Sequence, residues 1–524
     1  MGVWDHIVAG FFAVFQSDPI FGLPIVVLMV LFGFLLGITV GATPGLAGPM
    51  AMAISLPILI SIFGYSADAL LPVLGFLIGI MKGATVGGAV PAILFNTPGT
   101  PDAFMTTLDG YPMAQKGEAR RALRIAHFSS ASGDTFSDIV LVVCAPFLAI
   151  LVESYLDLPE KTALLILSLA FIASVIGNSV GKGIISMGLG LIAAMVATGE
   201  DFYPRLTLNQ PALAEGIPIA AAILGVLILG EVFKALEDIY QGEAQTRPPI
   251  QASEKKASGQ ADLPRILPTI GRSAVIGTCI GALPGVGSTL AATLGYTTAR
   301  RRYEKHRPAG APDFGTGAPE GIAATEAANS SVSGANLIPV LSLGIPGNAA
   351  AVFLILAMDS IGGFNPGPSV FQLGGGINEG ALNPEMVMAF GIFTTMFVAN
   401  GLNWTIGGIF MRWVGIMARI PKARLLPIVL LLTLTAIYVQ ETSMVAVWIT
   451  LFFGFLGYTM RRIGMSPLPF VIAFILGGNL EATARQAFAA TGADPFFLFN
   501  NPIALAFMVL AVGVVAFSMR KPAT

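Results

Sequence analysis

The residues of this sequence with chemical potential are those that interrupt helices and those that do not belong in hydrocarbon. Residues 83–99 read G-A-T-V-G-G-A-V-P-A-I-L-F-N-T-P-G, apolar enough for membrane depth but broken by glycines and by Pro91 and Pro98. Thr85, Asn96, Thr97 and Thr100 supply hydroxyl and amide groups within or just after that stretch. A helix that stops inside a bilayer strands N–H and C=O groups that no water reaches. Such a break persists where protein, solute or ions take up those groups, so it marks a binding-site candidate. A second interrupted stretch, Asn329–Asn348, pairs with the first. Lys82 directly precedes the first break, and a charge at that depth is costly. It calls for an anionic solute or a buried carboxylate; snorkelling to the interface is the structural alternative.

Four Pro-Gly breaks recur: Thr43-Pro44-Gly45, Thr97-Pro98-Gly99, Leu283-Pro284-Gly285 and Ile345-Pro346-Gly347. Proline opens a helix well, glycine lets a ligand approach the backbone, and a helix N-terminus offers N–H donors with partial positive charge to a carboxylate. Gly45, Gly99, Gly285 and Gly347 are therefore expected to present amides to a solute. Lys82, Asn96, Thr97, Thr100 and Asn348 are the expected side-chain contacts. The neutral oxygens of Thr85, Asn329, Ser330 and Ser331 suit a cation such as Na⁺, with helix–helix hydrogen bonding as the structural alternative. Glu320 and Glu326 precede the second break and read either as ion or proton ligands or as a solvated loop.

Composition decides where these elements sit. The 524 residues are 55% hydrophobic and 11% charged, with a mean hydropathy of +0.79, against roughly 25% charged residues in soluble domains. The class is a polytopic α-helical membrane protein of about 12 spans, some dipping in and returning. Continuous apolar runs such as Ala163–Ile176 exclude the alternating strands of a membrane barrel. The net charge of −2 gives no sign of nucleic acid. Cys144 and Cys279, in apolar surroundings, read as packing residues. No catalytic constellation is visible. Residues 177–183, G-N-S-V-G-K-G, are one residue short of a phosphate loop and lack its Ser/Thr, and three scattered histidines make no metal set.

The chain divides into a mildly amphipathic segment (1–20), a first membrane repeat (21–240), a polar linker (241–264), a second repeat (265–519) and a short tail (520–524). G-I-T-V-G-A-T-P-G at 37–45 matches G-T-C-I-G-A-L-P-G at 277–285, an offset of 240. V-P-A-I-L-F-N-T-P-G ending at Gly99 matches I-P-V-L-S-L-G-I-P-G ending at Gly347, an offset of 248, and E-K-T at 160–162 faintly matches Q-E-T at 440–442. Basic residues alternate between the halves. Lys116, Arg120, Arg121 and Arg124 follow the first break while 359–385 has none, and 300–307 is R-R-R-Y-E-K-H-R while 61–68 has none. With the positive-inside rule this predicts inverted-topology repeats whose broken-helix hairpins meet near the midplane.

These residues resemble the large membrane subunit of bacterial tripartite tricarboxylate transporters over roughly 20–510. The similarity is carried by G-A-T-P-G-L-A-G-P-M-A at 41–51, F-N-T-P-G at 95–99, L-D-G-Y-P-M-A-Q-K-G at 108–117, G-A-L-P-G-V-G at 281–287, P-E-G-I-A-A-T-E-A-A-N at 319–329 and L-I-P-V-L-S-L-G-I-P-G at 337–347. The resemblance implies a non-enzymatic secondary importer of organic acids in the bacterial inner membrane. It further implies a Na⁺ or H⁺ gradient as driving force, a small membrane subunit and a periplasmic solute-binding protein. Lys82-Gly83 stands where Tyr-Gly is common in the family, and Thr100-Pro101-Asp102 where an acidic residue follows Pro-Gly, which points away from citrate. The alternatives are an anion channel, a binding-protein-independent carboxylate transporter and an intramembrane enzyme. Independence from a receptor and from an ion gradient would mark the channel, and covalent turnover the enzyme.

Overall fold

Glycine spacing builds the first helix pair. Gly33, Gly37 and Gly41 recur every fourth residue on the Ile25–Gly41 helix, as do Gly79, Gly83 and Gly87 on the Ala67–Phe95 helix. A Cβ on Gly37 would lie 2.5 Å from the Ile80 carbonyl oxygen, and one on Gly83 2.2 Å from that of Phe34. The two backbones therefore touch directly, the close approach that membrane helices use where no hydrophobic force drives them together. The second half repeats the seam between the Leu263–Gly281 and Pro319–Ala335 helices. A Cβ on Gly277 would lie 2.2 Å from the Ala328 carbonyl oxygen, and one on Gly281 2.9 Å from Val332 Cα. Gly37 with Ile80 and Gly277 with Ala328 are related by the same offsets, 240 and 248, that relate the sequence motifs.

The computed structural model describes residues 2–17, 22–43, 46–175, 179–196, 205–207, 213–214, 216–241, 263–285, 287–305, 311–372, 382–414 and 422–519. Gly45 and most of the polar linker lie outside them. All regular structure among the described residues is helical. Among the described residues six helices are long and apolar enough to cross a membrane: Ala67–Phe95, Phe104–Tyr155, Ile219–Tyr240, Pro384–Met411, Met444–Arg462 and Pro502–Met519. Shorter apolar helices, among them Ile25–Gly41, Gly48–Phe63 and Ala349–Ile361, accompany them. The chain is a multi-pass membrane protein.

Contacts gather the chain into two units that do not follow the sequence halves. One comprises residues 1–147, 242–283 and 287–425; the other comprises 148–241, 284–286 and 426–524. Each half thus gives its first part to one unit and its last part to the other. In the second unit the Leu158–Val175 helix packs on Pro502–Met519, and Val180–Ala194 on Leu468–Ala490, pairing elements from opposite halves.

Two expectations need correction. The first break is far shorter than 83–99: Gly83 to Phe95 remain helical, Pro91 included, and the chain leaves the helix only at Asn96. A proline's missing N–H and a run of small residues are tolerated there because neighbouring backbone is packed against them. The second break is likewise confined to Asn336 and to 344–348, since Pro319–Ala335 and Leu337–Leu343 are helical. The N-terminal segment forms the Val3–Phe15 helix, which packs on Pro384–Leu402 and buries His6 while exposing Trp4, Phe11 and Phe12. Cys144 and Cys279 are free thiols, the latter exposed.

Candidate solute and coupling-ion site

Both helix ends terminate in the same way. Asn96 (φ 53°) and Gly344 (φ 70°) take the left-handed conformation that stops a helix. The amide of Thr97 then donates to the Pro91 carbonyl (3.3 Å), and that of Ile345 to the Pro339 carbonyl (3.1 Å). Every residue of this cap is displaced from its counterpart by 248. Beyond the cap, Gly99 donates to the Gly88 carbonyl (3.4 Å), and its missing Cβ leaves room for the Gly41 carbonyl oxygen, 2.0 Å from where that atom would be. Gly347 sits similarly against Asn336, whose Oδ1 would lie 2.7 Å from its Cβ.

Between these ends the Pro319–Ala335 helix carries an unusual load of buried polar groups. Glu326, Ser330 and Ser331 have no exposure, and Glu320 and Asn329 nearly none. The solvated-loop reading of the two glutamates is overturned, because their segment is a helix wrapped on all sides. Asp109 anchors its start: Oδ1 accepts from the amides of Gly315 (2.9 Å), Gly317 (2.9 Å) and Ala318 (2.7 Å), and Oδ2 accepts from the Tyr296 hydroxyl (2.9 Å). Thr106, soon after the first break, donates to Glu326 Oε1 in a short contact and lies 3.1 Å from the Thr325 hydroxyl. Neither amide atom of Asn329 finds a partner among the described residues, nor does Glu326 Oε2 or the Thr100 hydroxyl. Such buried orphans are costly and mark places where a ligand, ion or water supplies the missing bond.

Lys82 is fully buried, and all three of its N–H donors are taken. Nζ lies 2.8 Å from Asp138 Oδ2, 3.2 Å from Asp134 Oδ1 and 3.1 Å from Asn400 Oδ1. Asn400 also donates to Asp138 Oδ2 (2.7 Å), and Ser333 donates to Asp134 Oδ1 in a short contact. Ser330 pairs with Ser130 at 2.5 Å. Of the partners weighed for Lys82, the one present is a carboxylate pair. Fourteen residues of helix separate it from Asn96, ~21 Å at the α-helical rise, so these two do not share a ligand. Through Asp134 it is joined instead to Ser333, at the end of the helix that leads to the second break.

The remaining expected residues are dispersed. Thr85 bonds its own helix at Met81 O (3.0 Å), Thr97 bonds Phe95 O (3.2 Å), and Ser331 bonds Ala327 O (2.5 Å). Asn348 caps the Ala349–Ile361 helix by accepting from the Ala351 amide (2.9 Å). Gly285 has φ 82° and belongs with the second unit. Asp134 and Asp138 were not singled out, although G-D-T-F-S-D at 133–138, leading into an apolar run with carboxylates four apart, carries the signal.

Cross-contacts also give the direction of the paired helices. Gly110 packs on Ile93, while its neighbour Asp109 touches Gly321; Asp134 joins Lys82 to Ser333. Moving from Ile93 back to Lys82 thus accompanies moving from Gly321 forward to Ser333, so the equivalent helices run antiparallel, and their breaks at 96 and 344 lie at opposite ends of the pair instead of meeting near the midplane as expected.

The model of the tripartite tricarboxylate transporter TctA family matches residues 27–472. The chain belongs to the TctA family. A relative from Agrobacterium vitis, described as an uncharacterized 52.8 kDa protein in the TAR-I ttuC' 3' region, is 30% identical over 498 residues, covering 94% of this chain and 92% of its own. A second, an uncharacterized protein in the TAR-II ttuC' 3' region of the same organism, is 29% identical over 240 residues, covering 45% of this chain and 90% of its own. No solved structure matches. Membership in the TctA family makes the protein a large membrane subunit with a role in carboxylate transport, in a family of transporters rather than enzymes.

Proposed function

We propose that this TctA-family subunit imports organic di- or tricarboxylates across the bacterial inner membrane, driven by a Na⁺ or H⁺ gradient. Solute is handed over by a periplasmic binding protein, and a small membrane subunit completes the transporter. The observation that carries this reading is the pair of matched, oppositely directed helix ends, each closed by a left-handed residue and each flanked by buried polar atoms in want of partners. Paired broken helices on antiparallel repeats are the arrangement by which secondary transporters hold a solute between two exits.

In this reading Asn96, Thr97, Gly99 and Thr100 make the contacts to the acid at the first end and Gly347 and Asn348 those at the second, and a single acid engages one end at a time. Were Na⁺ the coupling ion, Asn329 with Ser330 and Ser331 would ligate it. Lys82 holds the carboxylate pair beside the second end. Uptake of labelled carboxylates into proteoliposomes holding both membrane subunits, with and without the binding protein and across Na⁺ and pH gradients, tests it. Accumulation only when binding protein and a gradient are both present is expected. Equilibration without either would make the protein a channel.

A further inference from the structure

We infer that Asp134 and Asp138 share one exchangeable proton and that this proton is the coupling ion. The inference rests on the symport reading above and names the ion and its site. One ammonium faces two carboxylates in a cluster with no exposure, so full ionisation would leave one negative charge uncompensated. A lone charge at membrane depth is expensive, and a carboxylate avoids that cost by holding a proton. The place for it is open. Asp134 Oδ1 and Asp138 Oδ2 are engaged by Lys82, Ser333 and Asn400, whereas Asp134 Oδ2 and Asp138 Oδ1 are buried and without partners among the described residues.

Among the described residues no other charge is bonded to the pair. The Ile25–Gly41 and Gly48–Phe63 helices carry none, and Ala67–Phe95 carries only Asp68 besides Lys82. Asp109 is held by backbone amides, Glu320 is paired with Arg265, and Glu326 is bonded to Thr106. Asp359 ends the Ala349–Ile361 helix and Glu385 begins Pro384–Leu402, while Arg412 lies a further three turns beyond Asn400.

Polar groups continue from the pair along the same helix face toward its basic end. His127 precedes Asp134 by seven residues and Asp138 by eleven, spacings that align on one side of a helix. Its Nε2 lies 2.9 Å from the Asn403 carbonyl oxygen. Asn403, one turn from Asn400, is fully buried with both amide atoms lacking partners among the described residues, and it opens a π-helical turn, Asn403–Gly407, of the kind that gathers at functional sites. His127 is partly exposed and adjoins Arg124 and Arg121, whose charge marks the cytoplasmic end. A carboxylic acid of the pair releases its proton toward His127 and water and becomes a carboxylate paired to Lys82. Lys82 and Ser333 sit on the two repeat-equivalent helices, so a shift of either on solute binding changes what the carboxylates face and whether the proton stays.

The test uses the complete transporter in proteoliposomes and the purified subunit in infrared spectroscopy. Wild type should accumulate carboxylate under a pH gradient with no Na⁺ present, about tenfold per pH unit for each proton coupled. Asp138→Asn should lose that gradient-driven accumulation. Independently, the wild-type protein should show a protonated-carboxyl band that shifts with isotope-labelled aspartate and is absent in Asp138→Asn or Asp134→Asn. Accumulation by Asp138→Asn equal to wild type, a wild type driven by Na⁺ alone, or a band untouched by aspartate labelling would each overturn the proton site. A wild type that accumulates no carboxylate under any gradient would instead defeat the import reading, while the spectrum still judges the proton.

Discussion

The two helix ends share a backbone and differ in chemistry. Asn96 and Gly344 close their helices, and the residue after each, Thr97 or Ile345, donates to a proline carbonyl six residues back. Yet the position that is Lys82 in the first repeat is Ser330 in the second, and the glycine seam around Gly83 is matched by one of alanine and serine. The turn is conserved between the repeats because helix termination depends on φ and on spacing to proline. Side chains facing the interior were free to diverge, and they did so in a complementary sense. Lys82 from one repeat and Ser333 from the other reach the same aspartate.

That asymmetry is most sharply probed at Lys82. Lys82→Met leaves the buried Asp134–Asp138 pair without its cation and should cost about 3–5 kcal/mol, read as a loss of thermal stability in detergent, with partial recovery in the Lys82→Met/Asp138→Asn pair. Ser330→Ala at the equivalent position should cost only about 1 kcal/mol. Equal losses at the two sites would mean that the cluster is not where the repeats differ.

The seams should instead respond alike. Gly37→Leu and Gly277→Leu each drive a side chain into a facing carbonyl and should cost about 3 kcal/mol or the fold itself, scored as yield of monodisperse protein. Tolerance at one seam only would show the two pairs to be unlike in packing. A smaller contrast lies at the caps. Gly344→Ala should cost roughly 1–2 kcal/mol, because alanine resists φ 70°, while Asn96→Gly should be neutral or slightly stabilising. A loss for Asn96→Gly comparable to that of Gly344→Ala would assign Asn96 a contact beyond its backbone role. Smallest is Asn348→Ala, which removes an N-cap found only at the second end and should cost about 1 kcal/mol by the same assay. A larger drop in solute affinity than in stability would move Asn348 from capping to binding.

The repeat was legible because it is written in residues that act locally. Glycine and proline restrict the backbone wherever they stand, so matched motifs at offsets of 240 and 248 announced matched helix ends. The extent of the breaks was not legible. Pro91 and the glycines at 83, 87 and 88 look like interruptions, but they stay helical, Gly83 and Gly87 packed on the Ile25–Gly41 helix, Gly88 on Thr100 and Pro91 on Gly99. The glutamates at 320 and 326 read equally as ligands or as part of a solvated loop, and only the surrounding helices show them buried.

By itself the sequence determined that this is a helical membrane protein with two related halves and with proline–glycine stops at fixed places, since hydropathy and backbone restriction are properties of single residues and short runs. Only the tertiary structure decided which polar groups meet. Lys82, Asp134, Asp138, Ser333 and Asn400 come from four helices, and the cost of burying charge is settled by partners far along the chain, which no local pattern specifies.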